Sequence, residues 1–193
     1  LSLLLRPDFE AEHAPMLTLI MGMAACMAIE KITGLTAEIK WPNDVVINKK
    51  KTTGILTEMG MSEGKISYVV VGIGINLNME SFPEELAYKA TSLKIECGHE
   101  INRDEIAAAL LFYFEQYYEK FEQTHNLGFL IEEYNNHLVN RGKEVLIKEK
   151  DGEYTGISRG INDKGELLVE KKDGNCVEIF SGEVSVRGLY GYV

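Results

Sequence analysis

The run Tyr68-Val-Val-Val-Gly-Ile-Gly-Ile75 constrains this chain more than any other stretch. Uncharged and rich in β-branched residues, it is too apolar for a strand with one wet face, and it predicts a central strand covered on both faces. A partner lies just upstream, where residues 51–61 carry a second strand pattern and Ser62-Glu-Gly64 joins the two as a hairpin. A cover is also present. Residues 16–29 contain no charge, and Met16, Leu19, Ile20, Met23, Met27 and Ile29 fill a helix almost all round, from Pro15 at its start to Gly34 at its end. Those fourteen residues fall short of the ~20 needed to span a bilayer. No basic segment precedes them as in a signal peptide. They read as a helix buried against the sheet.

Around this pair the remaining elements are smaller. Short strands are expected at 1–5, 37–41 and 45–47, the last two separated by Pro42-Asn43-Asp44. A loop with one helical turn near Pro83-Glu-Glu-Leu86 is expected over 78–98. Asn102-Arg-Asp-Glu105 then caps a helix to about residue 122, with Ile106, Leu110, Tyr113, Tyr117 and Phe121 on one stripe, and a second helix covers 129–139. The period changes after Arg141-Gly142. Five short strands, at 145–147, 154–157, 167–169, 176–180 and 184–186, are punctuated by Asp-Gly, Asn-Asp-Lys-Gly and Ser-Gly turns, the pattern of a small β-barrel. The reading is an α+β chain, with a mixed sheet and helices over residues 1–141 and a barrel over 142–193.

Charge narrows the function. Thirty acidic against 20 basic residues give a net charge of −10, which argues against nonspecific nucleic-acid or anionic-membrane binding. Cys26, Cys97 and Cys176 are odd in number and far apart, so neither a disulfide framework nor structural zinc is expected, and a reducing cytoplasm is the simpler setting.

Three constellations could carry chemistry. Lys40-Trp-Pro-Asn-Asp44 followed by Lys51-Thr-Thr-Gly-Ile-Leu56 puts a carboxylate and an ammonium near one end of a sheet, where sites of α/β sheets gather, although a plain Pro-Asn-Asp turn reads the same way. Gly72-Ile-Gly-Ile-Asn76 ends the apolar strand. Its glycines suggest close approach by a ligand or by another element, and its Asn could read a base edge. It matches neither a dinucleotide fingerprint nor a P-loop. Gly156-Ile-Ser-Arg-Gly-Ile161 and Gly182-Glu-Val-Ser-Val-Arg187 lie in the barrel and, taken alone, are turns and surface charge.

Together these residues, in this order and spacing, resemble the biotin protein ligases. The resemblance implies an ATP-dependent ligase with a class II synthetase-like core and a C-terminal SH3-like domain. Such an enzyme forms biotinyl-5′-AMP from biotin and MgATP, then passes biotin to a lysine of a biotin carboxyl carrier protein. It implies Lys51 as the cation between biotin carboxylate and α-phosphate, and Asp44 beside the acceptor amine. Gly54, with Trp41, Asn43 and Ile55, falls on the biotin side. Asn76, with Gly72 and Gly74, falls on adenine, and Arg187 and Glu183 on the nucleotide from the barrel. Mg²⁺ accompanies ATP, its ligands not identifiable here, and homodimers are common in the family. The family's Gly-Arg-Gly-Arg-x-Gly-Arg loop and the winged helix of some members would lie ahead of Leu1. The expectation is therefore the later part of the core plus the SH3-like domain, with weak or no adenylation if the parent protein truly starts at Leu1. A lipoate-ligase relative and a non-catalytic docking fragment are the alternatives. Lys-Trp-Pro-Asn-Asp with Gly-Ile-Leu favours biotin.

Overall fold

The computed structural model describes residues 1–149, 152–180, 185–188 and 193. Strands β1 (Ser2–Leu5), β2 (Glu38–Lys40), β3 (Asp44–Ile47), β4 (Lys50–Ser62) and β5 (Lys65–Ile75) form one sheet in the order β1-β5-β4-β3-β2. Every strand pair is antiparallel. The sheet expected to be mixed is thus uniformly antiparallel, with parallel contact only at the isolated bridges Ile39 to Leu138 and Lys51 to Ala90.

Helix α1 (Met16–Thr33) runs beneath this sheet, with Leu17, Ile20, Met21, Met23 and Ala24 fully buried. It is packed between the sheet and α4 (Arg103–Thr124). The stretch Ala11–Thr33 is long and apolar enough to cross a membrane by length and composition, which a count of uncharged residues alone did not anticipate. Here 67% of its apolar window is covered by protein. Gly34 closes the helix at φ 71°, its N–H donating to the Glu30 carbonyl at 2.9 Å. A Cβ there would meet nothing, so Gly34→Ala tests backbone conformation alone. It should cost about 1 kcal/mol, seen as a lower urea midpoint with an unchanged slope.

β5 departs from expectation. It is hydrogen-bonded on both edges, yet only Val69, Val71 and Ile73 are buried, while Gly74 and Tyr68 are exposed. The helices cover one face of the sheet. The other carries Leu4 on β1 and Leu56 on β4, 55% and 63% exposed. An apolar run reports hydrophobicity and cannot say whether a second layer exists to cover it.

The segment after β5 holds two short helices, α2 (Glu84–Ala87) and the unanticipated α3 (Leu93–Cys97), whose Ser92 cap accepts from the Ile95 N–H. On α4 the buried stripe is Ile106, Leu110, Phe114, Tyr117 and Phe121. Tyr113, expected in that stripe, sits at its margin, because the step that continues from Leu110 is four residues rather than three. Helix α5 (Ile131–His137) leads to the second sheet.

That sheet contains β6 (Glu144–Glu149), β7 (Gly152–Ile161), β8 (Leu167–Lys171), β9 (Cys176–Ile179) and β10 (Ser185–Gly188), in the order β10-β6-β7-β8-β9. Val145, Ile147, Ile161, Leu167, Val169 and Ile179 fill its interior. Val184, expected in the last strand, lies outside the described residues. Hydrogen bonds tie this sheet to the first unit: Leu127 N–H to the Asp163 carbonyl (2.6 Å), Ile161 N–H to Asn135 Oδ1 (2.8 Å) and the Trp41 indole N–H to the Gly165 carbonyl (3.0 Å).

Candidate active site

The corner between β2 and β3 is short and doubly fastened. Trp41–Pro42 is a cis peptide. Asn43 then closes onto β4 from both its backbone and its side chain: its carbonyl accepts from the Ile55 N–H at 2.9 Å, and its Nδ2 donates to the Ile55 carbonyl at 3.1 Å. Asp44 begins β3 with 9% of its surface exposed. Across the sheet Asp44 pairs with Gly54, and Gly54 with Gly74, so the three form one row over three strands.

Lys51 and Gly54 are three residues apart, which in a regular strand would put them on opposite faces. A bulge resolves this. Val45 pairs with Thr53 while Val46 pairs with Lys51, leaving Thr52 as the extra residue, and Thr52 and Thr53 are both buried. The bulge turns Lys51 to the face of Gly54. A Cβ on Gly54 would stand 3.1 Å from Lys51 Nζ and 3.8 Å from Asp44 Oδ1, and Lys51 Nζ donates to Asp44 Oδ1. The Lys51 backbone is anchored separately, donating to the Lys89 carbonyl at 2.8 Å and accepting from the Thr91 N–H at 2.9 Å.

Asn76, just past β5, is fixed from two directions. Its N–H donates to the Thr52 carbonyl at 2.8 Å and its Nδ2 to the Thr91 carbonyl at 3.1 Å. That bond uses one of the two amide hydrogens, and Oδ1 remains an acceptor with no hydrogen bond among the described residues.

These groups open into a cavity of about 890 Å³. Lys51, Gly54, Gly74 and Asn76 line it from the sheet, and Phe82, Pro83, Leu86 and Tyr88 from the segment that folds back after β5. Lys40 and Lys89 also line it, and among the described residues no Asp or Glu does. An acidic protein thus has a cavity walled by three lysines and an apolar flap, a setting for an anionic ligand with a flat apolar part.

The structure brings Lys51, Asp44, Gly54, Gly74 and Asn76 together, with Asn43 behind them. Ile55, Gly72 and Trp41 lie elsewhere. Ile55 points into the core beside Gly22 of α1. Gly72 sits within the sheet between Ser2 and Leu56. Trp41 is 3% exposed and faces the barrel rather than the cavity. Arg187 lies on β10 opposite Leu146, and Glu183 is outside the described residues. Lys89 and the Phe82–Tyr88 flap were not anticipated. Their signal was a Tyr-Lys pair in an otherwise weakly patterned loop.

Residues 1–76 match the biotin/lipoate A/B protein ligase family, and residues 142–187 match the biotin protein ligase C-terminal domain. The biotin–[acetyl-CoA-carboxylase] ligase of Paracoccus denitrificans is 30% identical over 190 residues, which cover 94% of this chain and 79% of that protein. The chain belongs to the biotin protein ligase family. The apo structure of the biotin protein ligase from Aquifex aeolicus superposes with a TM-score of 0.86 at 33% identity, covering 97% of this chain and 80% of that one. The same Aquifex enzyme is also known in complex with biotin and ATP. The bifunctional ligase/repressor BirA of Bacillus subtilis is 37% identical over 188 residues, 96% of this chain and 57% of that protein. The chain therefore spans little more than half the length of its bacillar relatives in the biotin protein ligase family.

Proposed function

We propose that these residues carry the adenylating and transferring centre of a biotin–protein ligase, with residues 1–141 as catalytic core and 142–193 as the SH3-like domain. The observation that carries this reading is the row Asp44–Gly54–Gly74, with the Lys51 amine over it, where Lys51, Gly54 and Gly74 line a lysine-walled cavity.

In the first step a biotin carboxylate oxygen attacks the α-phosphorus of ATP, forming biotinyl-5′-AMP and releasing pyrophosphate. Two anionic groups must meet, and an ammonium held between them stabilises the charge of the transition state. Lys51 takes that role, with Lys40 and Lys89 offsetting phosphate charge. Gly54 leaves its backbone open to biotin. Mg²⁺ enters with the substrate as MgATP. In the second step the carrier lysine attacks the acyl carbon as AMP leaves, and Asp44 takes the amine's proton.

The Asn76 geometry supports adenine selection. An Oδ1 free to accept suits the 6-amino group of adenine and repels the 6-oxo group of guanine. Asn76→Ala should raise the KM for ATP roughly tenfold, the equivalent of one hydrogen bond, and narrow the preference over GTP. Equal ATP and GTP kinetics before mutation would end this reading of Asn76.

The partner is a biotin carboxyl carrier domain in the cytoplasm, the compartment that suits three free cysteines. The exposed Leu4 and Leu56 on the open sheet face support pairing with a second copy of the chain. The whole centre is tested by incubating the full polypeptide that carries these residues with MgATP and labelled biotin. Biotinyl-5′-AMP and a biotinylated carrier are expected, and the absence of both would overturn the proposal.

A further inference from the structure

The Trp41 indole lies between the Lys40-to-Asp44 corner and the barrel. Its N–H donates to the carbonyl of Gly165, 124 residues away, in a buried hydrogen bond. Gly165 belongs to a tight turn between β7 and β8. There Asn162 Oδ1 accepts from the N–H groups of Lys164 and Glu166, and the Gly165 N–H returns to the Asn162 carbonyl. The turn is wedged into the first unit, because a Cβ at Gly165 (φ 78°) would come within 2.8 Å of Leu19 on α1 and 3.1 Å of Leu127. Its acceptor carbonyl is therefore held in place by the core helix.

On the other side, Trp41 directly follows the three-residue edge strand β2, which among the described strands neighbours β3 alone. The corner that follows is closed at its base by the pairing of Lys40 with Asp44, tied to β4 through Asn43 and Ile55, and tied to the barrel turn through the indole. Asp44 is the next residue. The Lys51 backbone does not share this dependence, being held by Lys89 and Thr91, while its ammonium pairs with Asp44.

We propose that Trp41 is a positioning residue through which the 162–166 turn of the barrel sets the placement of Asp44 for acyl transfer. The barrel thereby acts on the second half-reaction from the far side of the corner. This rests on the reading of Asp44 as the group that receives the acceptor's proton. A displacement of the corner by a fraction of an ångström degrades the geometry of attack, while the backbone that carries Lys51 stays anchored to Lys89 and Thr91.

The test uses the full polypeptide carrying Trp41→Phe, which keeps the aromatic packing and removes the donor, and Gly165→Ala, which disturbs the same contact from the barrel. Both are compared with Asp44→Asn. Transfer from preformed biotinyl-5′-AMP to a carrier domain should slow roughly tenfold in Trp41→Phe and in Gly165→Ala. Pyrophosphate release and the KM values for biotin and ATP should stay within about twofold, and the double variant should be no slower than the worse single one. Trp41 is the only tryptophan, so its emission in Gly165→Ala should shift to the red as the contact opens. If Asp44→Asn slows transfer while Trp41→Phe and Gly165→Ala do not, the positioning role is wrong and the Asp44 reading stands. If Asp44→Asn transfers normally, the Asp44 reading fails, whatever the other two do. Equal loss in both half-reactions, or loss of cooperative unfolding in both variants, would make Trp41 a structural pin and overturn the proposal.

Discussion

Lys51→Ala should lower the rate of pyrophosphate release on mixing with biotin and MgATP by roughly 10²–10³-fold, with biotin binding changed far less. The expectation follows from what the side chain does and does not touch. Lys51 is 38% exposed at its side chain, lines the cavity and pairs with Asp44, so the core loses almost no packing when it is truncated. Its backbone contacts with Lys89 and Thr91 survive the substitution. On the proposed mechanism, what disappears is the cation that would stand where the charge of the entering carboxylate meets that of the phosphate. Such a loss belongs to the transition state and shows in kcat more than in KM. A thermal midpoint within a few degrees of the parent would confirm an intact fold, and unchanged pyrophosphate release would remove Lys51 from the chemistry.

The second large effect is expected from Asp44→Asn. An asparagine at this position keeps an Oδ1 that can accept from Lys51 Nζ, so the lysine keeps its support and adenylation should persist. The amide cannot take up a proton from the acceptor amine. Transfer from preformed adenylate should therefore fall by about 10²-fold, while the adenylation rate changes by only a few-fold. Single-turnover mixing of the adenylate complex with a carrier domain separates the two steps. Equal losses in both would return Asp44 to the role of a turn residue that merely holds Lys51.

The hairpin of β4 and β5, the buried helix α1 and the change of period before β6 were legible because each depends on local patterning. The open face of β5 was not. Val69, Val71 and Ile73 look the same in sequence whether or not a second layer covers Val70 and Gly72. Lys51 and Asp44 stood out as chemical types near a corner, but their meeting depends on a bulge that strand alternation cannot foresee. Lys89 and the flap reach the cavity because the chain after β5 bridges back to Lys51, a tertiary fact with no local signature. Trp41 was assigned to the ligand through its motif, whereas packing turns its ring to the barrel.

The extra residue in β4 has a consequence beyond aiming one amine. The Thr52 carbonyl it displaces is the acceptor for the Asn76 N–H, while the Lys51 side chain it rotates meets Asp44. One irregularity of pleat thus fixes the relative placement of the group that would meet the phosphate and the group that would meet the base. On the proposed reading, the two ends of the nucleotide would be gauged against a single reference point in the backbone. Any substitution that straightened this strand would stretch or shrink the distance between them and make the site misjudge the length of its ligand.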